Sequence, residues 1–224
     1  MTHLKKYINF IIIGFLIITT FVFMGINIYL NNKIKNIKVQ DENIVFFGDS
    51  ITEGYNVKEF FDDLNVVNSG ISGNKTEDLI NRIENTLYDY NPSKVIILIG
   101  INDVNKGEND STIVNNIKKI IKNIRNNRKN AEIYVESIYP INNNVAEKSG
   151  MLNNKDVNNK RVKELNRKIK NLCLELDIEY INVFNELIDK NGNLKESYTK
   201  DGVHLNDLGY HKVTEELRKY VYQN

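Results

Sequence analysis

The chain has 224 residues, a length that fits one ordinary domain plus an appendage, and its 41% hydrophobic and 26% charged residues with only two prolines exclude a disordered or collagen-like polymer. Five lysines, Lys5, Lys6, Lys33, Lys35 and Lys38, fall in the first forty residues; the remainder carries 25 basic against 29 acidic side chains and so lacks the basic footprint of a nucleic-acid binder. The single cysteine, Cys173, excludes an intramolecular disulfide and a Cys-based zinc cage.

In chain order, a short basic N-terminus (1–6) precedes 24 uncharged residues, Tyr7 to Leu30. At about 1.5 Å per residue this run is long enough for a hydrocarbon core of about 30 Å, and it reads as a transmembrane anchor. A cleaved signal peptide is the rival, but no Ala-x-Ala-like site follows and the flank is Asn-Lys-Ile-Lys. Lysines on the two sides balance, so the positive-inside rule does not orient the helix. A short basic N-terminus before one apolar helix is the layout of a signal anchor, which places the following domain outside a bacterial-type membrane. A polar linker (31–41) leads to the folded domain (42–224).

The domain alternates short apolar runs with helical patterns. Ile44–Phe47, Val66–Val67, Val95–Ile99, Ile133–Val135 and Tyr180–Val183 are rich in β-branched residues and read as strands covered on both faces. Ile113, Ile117, Ile120 and Ile124 mark one helix face, and Val162, Leu165, Ile169, Leu172 and Leu176 another. Five strands with intervening helices imply right-handed crossovers and a parallel sheet. Cys173 falls on the apolar face of the second helix and reads as a small buried hydrophobe. The Asn- and Lys-rich stretch from Asn142 to Lys160 reads as a long surface loop.

In an open parallel sheet ligands bind beyond the carboxyl ends of the strands. Three strand exits carry polar, small-residue motifs: Gly48-Asp49-Ser50-Ile51, Asn68-Ser69-Gly70-Ile71-Ser72-Gly73 and Gly100-Ile101-Asn102-Asp103. Near the C-terminus stands Asp201-Gly202-Val203-His204. Together they supply a hydroxyl, a glycine amide, a carboxamide, an imidazole and a carboxylate, the equipment of serine-dependent acyl transfer.

With these four blocks in this order, the sequence resembles the SGNH, or GDSL, hydrolases over nearly the whole span from Phe47 to His204. The resemblance implies a three-layer α/β/α fold around about five parallel strands, similar to flavodoxin-like proteins. It also implies roles: Ser50 as nucleophile and, through its N–H, an oxyanion donor; Gly73 and Asn102 as the other oxyanion donors; His204 as base; and Asp201 as the acid that orients it. Ile51 stands where the family's nickname has Leu, a volume-conserving change.

The residue chemistry agrees. A serine hydroxyl needs a base to accept its proton. His3 precedes the apolar segment, and His211 lies on a helix about 200° from apolar Val213, so it is expected on the surface. His204 stands three residues after Asp201, close enough for that carboxylate to fix its tautomer. Gly73 lets a substrate oxygen approach the backbone, and Asn102 offers a neutral N–H. Ser72 lacks the Gly-x-Ser-x-Gly elbow and reads as a loop residue. Asp49 and Asp103 are expected to hold local backbone groups, and no metal or cofactor is required. Gly70-x-x-Gly73 is not a dinucleotide fingerprint. Tyr55, Phe60 and Phe61 are expected in the core, with an acyl or sugar pocket as the alternative, and Tyr198 is placed beside the cleft. The expected activity is a membrane-anchored serine esterase acting on an acyl ester of a cell-envelope glycan or a lipid. An acyltransferase to a sugar hydroxyl and an inactive binding module are the alternatives.

Overall fold

The computed structural model describes residues 14–31, 43–152, 154 and 157–223. The chain divides into two compact units, Met1–Asp41 and Glu42–Asn224. In the first, helix α1 spans Gly14–Asn31, 18 residues that are long and apolar enough to cross a membrane. Its side chains, including Phe15, Phe21 and Met24, are exposed. A helix of this kind near an N-terminus serves as an anchor or as a signal sequence. The expected basic N-terminus (1–6), the first part of the expected span (7–13) and most of the expected linker lie outside the described residues.

The second unit is built on a five-stranded sheet of order β2-β1-β3-β4-β5, from β1 (Asn43–Gly48), β2 (Val66–Gly70), β3 (Pro92–Leu98), β4 (Glu132–Glu136) and β5 (Glu179–Ile181). Every pairing is parallel. Helices α4 (Thr76–Thr86), α6 (Asp110–Asn127) and α8 (Asn159–Glu175) pack side by side in chain order. The other face carries α10 (Asp207–Val221) and the short helices α2 (Ser50–Glu53) and α3 (Val57–Phe60). The pleat explains how one strand serves both faces. Phe46 meets the Tyr55 and Phe61 rings at 5.6 and 5.7 Å, and Tyr55 stacks on Tyr210 of α10. Phe47 turns the other way, under the Arg82 guanidinium of α4.

The three-layer parallel fold is therefore as expected, with three local differences. β2 runs on through Asn68, Ser69 and Gly70, because these polar residues pair in register with Phe46, Phe47 and Gly48. β5 ends at Ile181, where Val183 N–H turns back to the Ile181 carbonyl and the short helix α9 (Phe184–Leu187) follows. The supposed loop from Asn142 contains helix α7 (Asn143–Ser149). The Asn142 side chain caps its start and Gly150, with φ +72°, ends it. Cys173 is fully buried, as are Ile113, Ile117, Ile120 and Ile124 of α6. His211 is exposed, its ring edge-on to Phe60 at 4.9 Å.

Since β2 lies on one side of β1 and β3 on the other, the exits of these strands diverge to form a crevice. Ser50 follows β1, Gly73 follows β2 and Asn102 follows β3.

Candidate active site

Ser50 opens α2 immediately after β1. The Asp49 side chain caps this single turn by accepting the Ile51 N–H at 2.9 Å. Two glycines let the turn lie almost on the sheet: a Cβ on Gly48 would come within 2.4 Å of the Leu98 carbonyl, and one on Gly70 within 2.1 Å of the Glu53 nitrogen. Asn68 then fastens the far end, its amide donating to the carbonyls of Thr52 and Tyr55 at 2.6 and 2.7 Å. Motif residues with no reactive group thus build the seat of the hydroxyl.

Gly73 sits in an exposed turn with φ +78°, and a Cβ there would meet nothing within 4 Å. The left-handed backbone favours glycine, and the space beside it is open to a ligand. Asn102 lies in α5 (Ile101–Asn105) and donates one amide hydrogen to the Asn74 carbonyl at 3.0 Å. A carboxamide has two such hydrogens, so the second is left to serve a bound oxygen. Next to it, Asp103 is buried and accepts from the Thr76 N–H and hydroxyl at 3.0 and 2.6 Å. Burial raises the Asp103 carboxyl and the Thr76 bonds oppose the rise. Asp103 thus ties α5 to the start of α4.

The third element is the turn from Thr199 to Leu205, closed by an antiparallel bridge between those residues. Asp201 Oδ1 accepts the amides of Val203 and His204, and Oδ2 faces His204 Nδ1 at 2.7 Å. Partial burial alone would raise the Asp201 carboxyl, but the hydrogen bonds from the His204 ring and from the His204 and Val203 amides hold it below its ordinary value. An ionised carboxylate can only accept, so Nδ1 carries the proton and donates. In the neutral ring this tautomer leaves Nε2 bare, and Nε2 lies 2.8 Å from Ser50 Oγ. The fold brings together two residues 154 positions apart in sequence. Ser50, Asn102, Asp201 and His204 are all half-buried, with Gly73 exposed beside them.

The remaining sequence candidates make contacts of their own. The Ser72 hydroxyl donates to the Glu53 carboxylate. Tyr55 and Phe61 are buried core residues, with Phe60 packed against them. Tyr198 lies at the end of a 3₁₀ turn (Glu196–Tyr198), and its carbonyl accepts the Asn206 N–H. Among the described residues no three His, Cys, Asp or Glu side chains cluster as a metal site. Sequence reasoning missed Thr199, whose hydroxyl accepts the Gly202 amide at 2.8 Å and donates to the His204 carbonyl at 2.7 Å. Its distance of five residues from His204 was the only available signal.

Comparison with known proteins gives a consistent picture. The model of the GDSL-like Lipase/Acylhydrolase family matches residues 46–212. The platelet-activating factor acetylhydrolase IB subunit alpha1 of Bos taurus is 26% identical over 189 residues, covering 82% of this chain and 77% of that protein. The structure of a candidate platelet activating factor from Streptococcus pneumonia is 30% identical, covers 89% of this chain and 99% of its own, and superposes with a TM-score of 0.76. The acetylxylan esterase Axe2 of Geobacillus stearothermophilus shares the fold at 20% identity, a TM-score of 0.63, and coverage of 82% of this chain and 95% of that one.

Proposed function

Because this chain belongs to the GDSL-like lipase/acylhydrolase family and is an ester hydrolase of that type, we propose that Ser50, His204 and Asp201 form its catalytic triad and that its substrate is a short O-acyl ester on a cell-envelope glycan. The observation that carries the triad is the unbroken chain from Ser50 Oγ through the His204 ring to Asp201 Oδ2, at 2.8 and 2.7 Å. A short acyl group is supported by a relative named as an acetylhydrolase. The glycan is supported by α1 read as an anchor that holds the domain outside the membrane, with a lipid ester as the competing alcohol part.

In this reading His204 Nε2 takes the Ser50 proton as Oγ attacks the ester carbonyl. The resulting oxyanion is met by the N–H groups of Ser50 and Gly73 and by the second amide hydrogen of Asn102. Such preorganised donors act where charge develops, and losing one typically costs about 10²- to 10³-fold in turnover. The imidazolium, held by Asp201, returns its proton to the leaving alcohol. A water then loses a proton to His204 and attacks the acyl-enzyme, releasing the carboxylic acid and restoring Ser50.

The test uses the full chain in detergent. Intact-mass analysis after treatment with an organophosphonate is expected to show one adduct that Ser50→Ala abolishes; no adduct on the wild type favours the inactive binding module. A panel of acetyl, butyryl and long-chain p-nitrophenyl esters with acetylated xylan reads acyl size and alcohol part. Product analysis with a sugar alcohol present distinguishes water from a hydroxyl as acceptor.

A further inference from the structure

The Arg82 side chain makes five hydrogen bonds, one for each N–H a guanidinium carries. Nε donates to the Asn74 side-chain oxygen at 2.6 Å. Nη1 donates to the hydroxyls of Ser69 and Thr86 at 3.2 and 2.8 Å. Nη2 donates to the carbonyls of Gly48 and Ser69, both at 2.9 Å. All five acceptors are neutral oxygens, so this is not an ion pair. The guanidinium also lies 4.5 Å from the centre of the Phe47 ring. Half-burial of a cation with no carboxylate bonded to it is unfavourable, so burial lowers the Arg82 pKa, with the charge of nearby Asp78 opposing the shift.

Four of the five bonds go to the two ends of one loop or to the strand exit beside it, and the fifth goes to Thr86 of the same helix. Ser69 and Asn74 bracket the segment that carries Gly73, and Gly48 stands two residues before Ser50. The Gly48 carbonyl also accepts the Ile71 N–H at 3.2 Å, so loop and strand exit meet at the atom Arg82 holds. Asn74 continues the linkage, because its carbonyl accepts the Asn102 side-chain amide.

We infer that Arg82 is a positioning residue for the oxyanion donors: its planar fork fixes both ends of the Gly73 loop against the exit of β1 and, through Asn74, sets where the Asn102 amide points. The inference rests on the roles proposed above for Ser50, Gly73 and Asn102. Lysine cannot replace this fork, since an ammonium is a compact donor that does not span the diverging acceptors.

The test is a double-mutant cycle on acetyl ester turnover, using the full chain in detergent, with Arg82→Met, Arg82→Lys, Asn102→Ala and the combined variants. Arg82→Met is expected to lower kcat on the order of 10- to 100-fold with KM changed less than about threefold, because small misplacements of catalytic groups act on the transition state. Arg82→Lys is expected to recover little of that loss. In the Asn102→Ala background the further loss from either Arg82 change is expected to be smaller than in the wild type, since one of the donors it positions is gone while the Gly73 loop remains. A purely structural arginine would lower the melting temperature and give the same fold-loss in both backgrounds, and that result overturns the inference. If Arg82→Met does not fold, the Arg82→Lys cycle decides. Ser50-dependent turnover that survives Arg82→Met at the wild-type rate rejects the role of Arg82 alone. Turnover that survives Ser50→Ala overturns the catalytic reading and this inference with it.

Discussion

Gly48 and Gly70 stand opposite each other in the register of β1 and β2, and neither has room for a Cβ. Together they let α2 rest against the strand ends, which sets the height of Ser50 above the sheet. The glycine of the Gly-Asp-Ser motif therefore answers to packing, and its partner Gly70 answers to the same turn of helix.

Gly70→Ala is expected to destabilise the protein by at least about 2 kcal/mol. The added methyl would lie 2.1 Å from a backbone nitrogen and 2.7 Å from the Glu53 Cα, and backbone atoms in a capped turn do not swing aside as a long side chain does. Turnover should fall along with stability, because the turn that must move is the one bearing Ser50. Urea unfolding and ester hydrolysis on the same preparation check both; a melting curve equal to wild type would show that α2 is free to shift.

Gly73→Ala should separate the two effects. Its φ of +78° makes alanine strained by about 1 kcal/mol, but the methyl meets no protein atom within 4 Å. It projects instead into the open space beside the loop, where the carbonyl oxygen of a substrate is proposed to sit. Turnover is expected to drop by about 10-fold or more while the melting temperature falls only slightly. A variant whose melting temperature falls while kcat stays unchanged would make Gly73 a turn-former and nothing else.

Most of this site was legible from residue types near strand exits, because a parallel sheet brings those exits to one end whatever the details of its helices. Ser50 and Asn102 were readable as candidates for that reason, and Asp201 and His204 from their spacing of three residues before the last helix. What stayed hidden depends on contacts between distant segments. Asp103 was expected to hold a local backbone group, yet it reaches Thr76, 27 residues away. Arg82 looks like any solvent-facing helix charge until the fold places Gly48, Ser69 and Asn74 around it. Helix α7 was missed because its sequence is polar throughout except for Val145 and Ala146; the Asn142 cap and the Gly150 stop were the available signals.

Asp201 has two tasks, and Asp201→Asn should expose both. In the proposed triad the carboxylate orients the imidazole, so turnover is expected to fall on the order of 10³- to 10⁴-fold, as when a triad acid becomes an amide that favours the wrong tautomer. The same group accepts three N–H bonds in its turn. Its folded pKa is depressed, so the stability it contributes is present above the unfolded value near 4 and is lost as pH falls through the lower folded value. The gap in melting temperature between wild type and Asp201→Asn is therefore expected to be wide at pH 7 and to close toward pH 3. A gap independent of pH would show that the lost bonds do not depend on charge.

The opposite sign is expected behind the site, where Asp49 and Glu136 are both buried. Burial pushes the Asp49 carboxyl up to about 7, against the opposing bond from Ile51, and its Oδ2 has no hydrogen-bond partner among the described residues. Burial likewise pushes Glu136 up to about 8, although the Tyr139 hydroxyl donates to it at 2.5 Å. For a raised acid the unfolded chain ionises first. Stability is therefore lost as pH climbs from the unfolded value toward the folded one, and no more is lost above it. Glu136→Gln keeps an acceptor for Tyr139 and removes the titration, so it should match wild type near pH 4 and become progressively more stable than wild type up to about pH 8. Asp49→Asn should behave alike, with its gain complete by about pH 7. Urea midpoints measured from pH 4 to pH 9 give the two difference curves directly. Curves that fall as pH rises would mean that both carboxylates are ionised and stabilised in the folded protein at neutral pH.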